Sequence, residues 1–162
     1  MKFLFNFFLL FLLAFLLAPL PQVHAVDVTI TAANLTPGAN AQTRQGTAGV
    51  AITAGQLVYI DTTTNSWKLT DANASATTAD VDGIAGNTAG IGQTLTIITA
   101  DDDLTLGGTT AKGTIYIASA TAGGVAPAAD LVAGWYAIVI AVGKDTTKIR
   151  FRAEGLRNAS PQ

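Results

Sequence analysis

From Val26 to its C-terminus the chain contains no histidine, no cysteine and no methionine, and a single glutamate, Glu154. Each absence removes a class of chemistry. Without His or a pair of Glu there is little from which to build a general acid–base couple working near neutral pH. Without Cys there is no thiolate nucleophile, no disulfide framework and no thiolate metal site. The lone His, His24, stands beside an apolar leader. Basic residues are scarce as well: 9 Lys and Arg stand against 11 Asp and Glu, a formal net charge of −2. That balance argues against a nucleic-acid partner, which calls for a basic face. What remains is rich in Gly, Ala and Thr, with only 12% charged residues, so the polar repertoire is mostly Asp, Thr, Asn and Ser. These absences predict a protein that is not an enzyme, holds no cofactor and no metal, and is suited to folding, packing and binding.

The first residues read differently from the rest. Residues 3–17 (FLFNFFLLFLLAFLL) are almost wholly apolar, Lys2 gives a minimal positive start, and Pro19 and Pro21 precede Val23-His24-Ala25. This is the order of parts in a secretory signal peptide, and the run falls short of the ~20 residues that a spanning helix needs. Cleavage after Ala25 would release a chain starting Val26-Asp27-Val28. The other origin that fits is a reading frame begun too far upstream. Membrane contact is expected only through this leader, if it is retained.

The body reads as strands and turns. Val26–Thr31 alternates apolar and polar residues as a half-buried strand does. Asn34–Gln45, with Pro37, Gly38 and Asn40, reads as loop. Val50–Ile52 is a short strand, Gln56–Asp61 the next, and Ser66–Leu69 returns from it as a hairpin. Asp71–Asp80 is a loop or one turn of helix capped by Asp71. Val81–Ala85, Gln93–Ile98, Leu104–Leu106 and Gly113–Ala118 are further strands, and Pro127–Leu131 is a turn or a single helical turn. Trp135–Val142 is nearly continuously apolar and predicts a central buried strand. In Thr146–Arg152 the alternation sends Ile149 and Phe151 inward and Lys148, Arg150 and Arg152 outward. About ten short strands at this spacing predict an all-β fold, a single compact β-sandwich or barrel-like domain, preceded by an apolar helical leader. The division is therefore 1–25 leader, 26–157 β-domain and 158–162 frayed tail.

Few clusters could carry chemistry, and each has a plain structural reading. Asp101-Asp102-Asp103 could offer oxygens to Ca²⁺ or Mg²⁺, but lacks the alternating spacing of a calcium loop and reads as a solvated turn between two strands. Asp80 and Asp82, two apart, fall on one side of a strand, with no second group to split their acidities. The glycine-rich Gly86–Gly92 has no following Lys-Ser/Thr and reads as a mobile loop, not a phosphate cradle. Tyr59, Trp67, Tyr116, Trp135 and Tyr136 could form a binding face, but such residues also fill cores. Asn34, Asn73 and Asn158 open short glycosylation sequons. No catalytic, cofactor-binding or metal-binding residue is assigned.

Taken in order, several stretches resemble the capsid cement, or head decoration, proteins of tailed bacteriophages. They are Val28–Asn34, Ile52–Asp61, Lys68–Ala72, Gly83-Ile84-Ala85, Gly92-Gln93, Gly113–Ser119 and Gly123–Leu131. The resemblance covers most of 26–152. It implies a small β protein on the capsid surface of the virion, a homotrimer that clamps the major capsid protein, with no catalytic residue. The leader departs from that pattern, because phage heads assemble in the host cytoplasm. The alternative expectation is a secreted or surface-displayed β-domain, cleaved after Ala25, that binds a cell-surface or glycan partner.

Overall fold

The computed structural model describes residues 26–153. The apolar leader with its expected helix, the stretch 154–157 and the tail 158–162 lie outside the described residues. Between them the chain forms one curled antiparallel sheet of nine strands. These are β1 (Gln42–Thr47), β2 (Leu57–Asp61), β3 (Ser66–Leu69), β4 (Gly83–Ala85), β5 (Thr94–Thr105), β6 (Ile115–Ala118), β7 (Val125–Pro127), β8 (Val139–Gly143) and β9 (Lys148–Arg152). Their order is β3-β2-β4-β5-β9-β8-β6-β7, with β1 laid along β5. Among the described residues, helix is confined to two short 3₁₀ turns, Ala32–Asn34 and Ala128–Asp130.

Several elements form as their local sequence dictates. The β2–β3 hairpin pairs Val58 with Leu69 and Asp61 with Ser66. Its turn closes through Asn65 at φ 50°, a left-handed backbone that Asn tolerates better than most residues. The Asp61 carboxylate accepts the Thr63 N–H at 2.9 Å, an Asx turn that fixes the bend. In β9, Ile149 and Phe151 are fully buried while Arg150 and Arg152 are exposed, as their alternation requires.

Other elements depart from the sequence reading. Gln93–Ile98 and Leu104–Leu106 are not two strands with an aspartate turn between them. Thr94–Ile98 and Leu104-Thr105 belong to one long β5, and Asp101–Asp103 lie within it. The run stays extended because the pairing with β9 slips between Asp101 and Leu104, a bulge that absorbs the crowded carboxylates. The end of the stretch read as loop, Asn34–Gln45, runs into strand β1 (Gln42–Thr47): it has no apolar residue to alternate, is largely exposed, and forms because β5 offers an edge to pair with. Val26–Thr31 is not a ladder strand. Val28 donates to Val125 O and Thr31 to Gly107 O, so its bonds go to two separate stretches. Val50–Ile52 contributes only a bridge from Ile52 to Ala89. Of the apolar run Trp135–Val142 only Val139–Val142 joins a ladder, as part of β8. Trp135 and Tyr136 pack against the core from irregular backbone, with the Tyr136 N–H bonded to Ala72 O.

The core is split by the sheet. Adjacent residues on a strand point to opposite faces, so Leu57, Ile84 and Ile98 enter a large cluster with Leu104, Ile140, Ile149 and Phe151. Their neighbours Val58, Ala85 and Ile97 enter a smaller one with Ile52, Leu95 and Trp67. Strands β2, β4 and β5 are thus covered on both faces, which explains their runs of consecutive apolar residues. The curl is drawn together at the β6–β7 turn. There Gly123 donates to Thr70 O at 2.7 Å and accepts from the Leu57 N–H at 2.9 Å. Its φ of +74° and its fit against Gln56 and Leu69 exclude a larger residue.

Candidate binding surface

The sequence singles out an aspartate triplet, and the structure divides it by role. Asp101 is buried, and its carboxylate accepts the Gly38 N–H at 2.7 Å and the Asp103 N–H at 2.8 Å. It pins the loop before β1 onto β5. Asp102 and Asp103 face outward into a row of cations on and beside β9. Asp102 meets Arg152 at 2.7 Å and Arg150 at 3.4 Å, and Asp103 meets Lys144 and Lys148 at 2.8 Å each. The lysine ammoniums, Lys144 before Lys148, hold the Asp103 carboxyl down at about 2. The three carboxylates do not converge on one point, so they do not form a cation cage.

The other sequence candidates also separate. Asp82 accepts the Ile60 N–H at 2.9 Å and so braces β2. Asp80 and Asp82 precede β4 and do not sit on a strand. In Gly86–Gly92 the Asn87 side chain stitches the loop to β5, accepting the Thr96 N–H at 2.6 Å and donating to Thr94 O at 3.2 Å. Thr88 Oγ accepts the Ala54 N–H. The loop is tied down, not loose, and carries the exposed Ile91. The aromatic residues make no common face: Trp67 belongs to the smaller core, while Tyr116, Trp135 and Tyr136 belong to the larger. Asn34 and Asn73 are exposed, and Asn158 lies outside the described residues. Among the described residues no group of three or more His, Cys, Asp or Glu is placed to hold a metal ion. No helix among them is long and apolar enough to cross a membrane.

Sequence reasoning missed the feature that stands out on the folded surface. Ile115 of β6 and Val142 of β8 are cross-strand neighbours, 46% and 42% exposed. Val142 pairs in turn with Arg150 of β9, which reaches Asp102 of β5. An apolar pair is thereby continued by a charged row along one face of the curl. The signal was present in the alternation of β9 and β6, but the neighbours come from strands far apart in sequence. Protein–protein interfaces set an apolar centre inside a polar rim, and this pair with its neighbouring charges has that arrangement on a small scale. No protein-family model matches this chain, and no curated protein or solved structure does either.

Proposed function

We propose that this protein is a capsid cement protein. It binds the outer surface of a tailed-phage head, as a homotrimer, and ties neighbouring copies of the major capsid protein together without catalysis. The observation that carries the reading is the row Ile115–Val142–Arg150–Asp102, which joins exposed apolar area to fixed charge on a β face. In this role the curled sheet acts as a barrel-like block, stiffened on both faces by its two cores and drawn together at Gly123. The ordered resemblance of Val28–Asn34, Ile52–Asp61 and Gly113–Leu131 to cement proteins supplies the identity of the partner. The secreted, glycan-binding reading would draw on the aromatic side chains, and Tyr59, Trp67 and Tyr116 are buried.

The test is co-sedimentation with heads assembled from the major capsid protein of the same genome. The protein is expected to pellet with heads in a fixed ratio. Ile115→Asp and Val142→Asp should stay folded and remain in the supernatant, because each puts a charge into the apolar centre of the contact. A native protein found only in culture medium, with no affinity for heads, would overturn the proposal in favour of the secreted domain.

A further inference from the structure

Asp130 differs from the other carboxylates described. It ends the 3₁₀ turn Ala128–Asp130, is 3% exposed, and neither carboxylate oxygen has a hydrogen-bond partner. Asp61, Asp102 and Asp103 each face a lysine or arginine, and Asp71, Asp82, Asp101 and Asp145 accept backbone N–H groups. A buried carboxylate without a counter-ion or donor is strongly destabilising, so the fold is built to bring one to it.

The surroundings show which. Asp130 lines a cavity of about 350 Å³ together with Val26, Asp27, Ser119, Val132 and Trp135. Asp27 is held there by the Ser119 hydroxyl, 2.8 Å from both of its oxygens. The cavity therefore presents two carboxylates and an indole, and no Lys or Arg is among its lining residues. Lys68, Lys144, Lys148, Arg150 and Arg152 are engaged in ion pairs, Arg44 lies over Trp67, and Lys112 does not line the cavity. The remaining group at the cavity is Val26, which directly follows Val23-His24-Ala25, the small-residue pattern of a leader-peptidase site.

We propose that cleavage of the Ala25–Val26 bond completes this cavity: the new α-ammonium of Val26 seats in it as the counter-ion of Asp130 and Asp27. The step is hydrolysis by a peptidase. Water adds across the amide, Ala25 leaves with the carboxylate, and the Val26 nitrogen takes the proton. Before cleavage that nitrogen is a neutral amide with one N–H. Afterwards it is a cation with three donors, charged below its usual pKa of about 8. Processing thus locks the N-terminal segment, already bonded through Val28 to Val125, onto the β6–β7 turn. The proposal does not rest on the capsid reading, since it needs only that the bond be opened.

The test begins with the intact mass of the native protein. A chain starting at Val26 is expected, and one that retains residues 1–25 overturns the proposal. The chain from Val26 to Gln162 holds both cores and every strand described. It is then prepared with a free and with an acetylated N-terminus. The free amine should raise Tm by several degrees near neutral pH. That gain should fade as pH rises through an amine pKa lifted above its usual value of about 8, because the raised pKa belongs to the folded state. Asp130→Asn should abolish the difference between the two forms. Equal melting of both forms with Asp130 present overturns the proposal, as does a difference that survives Asp130→Asn. An amine pKa at or below its ordinary value, read by NMR in the unmodified protein, does the same without any variant. So does stabilisation of the free-amine protein by methylammonium or Ca²⁺ acting through Asp130, which would mean that the cavity takes an outside cation.

Discussion

Gly46 of β1 lies against the indole of Trp67 on β3, so closely that a Cβ at Gly46 would overlap Nε1 and Cδ1 of that ring. Arg44, two residues earlier and on the same side of β1, places its guanidinium 5.7 Å from the ring centroid. The indole is therefore held under a strand that has almost no apolar residue of its own.

Gly46→Ala is expected to destabilise the fold by about 1–3 kcal/mol, because a methyl forced into a packed contact moves backbone or ring. Chemical denaturation followed by tryptophan fluorescence measures it, and the native emission should also shift as Trp67 is displaced. Stability equal to that of the unaltered protein would show that β1 can lift from the ring without penalty.

Phe151→Ala should cost about 3–5 kcal/mol, the range for deleting a fully buried phenylalanine. Ile140→Asp should prevent folding, since an unpaired carboxylate would enter the larger core. Circular dichroism and size-exclusion elution of the two variants distinguish a weakened native state from an unfolded one.

The aspartate triplet should separate by position. Asp101→Asn removes one of two acceptors for backbone N–H groups and turns an amide NH₂ toward a donor, at a cost of about 1–3 kcal/mol. Asp102→Asn disturbs only exposed ion pairs, to Arg152 and Arg150, and should change stability by less than about 0.5 kcal/mol. Melting curves with and without Ca²⁺ test both points, and no Ca²⁺ dependence is expected in any of the three proteins.

Acid should weaken the fold through identifiable carboxylates. Asp103 titrates at about 2, below its ordinary 3.8, owing to Lys144 and then Lys148. Asp61 is lowered by its bond from Lys68 and then by the Thr63 N–H, and Asp145 by the N–H groups of Thr147 and Lys148. A depressed folded-state pKa contributes stability that is complete above the unfolded value and lost as pH falls through the folded one. Tm should therefore fall as pH drops from about 4 toward 2, and less steeply in high salt, because the Asp103 pairs are exposed and screened. The raised pKa values of Lys68 and Lys148 reverse the sign in alkali, where their contribution disappears as pH rises through the folded values. Lys148→Gln should move the Asp103 titration upward in an NMR-monitored series.

How much of this was legible beforehand depended on distance along the chain. The β2–β3 hairpin, the inward Ile149 and Phe151, and the all-β character follow from residues close in sequence. There the period-two alternation and the turn chemistry of Asp61 and Asn65 act locally. The composition by itself also determined that the described body holds no thiol or imidazole. The tertiary structure alone decided that the polar stretch Gln42–Thr47 is a strand, because an exposed strand has no apolar alternation and exists only where an edge such as that of β5 receives it. It decided that Asp101 is buried, through a bond to Gly38 63 residues away, and that Asp27 meets Ser119 across 92 residues. It also decided that Asp130, one acid among ten aspartates in the sequence, ends without a partner beside Val26. Local sequence sets which backbone conformations are cheap. Which side chains meet is set by long-range pairing and burial, whose energies exceed local preferences and leave no periodic trace in the chain.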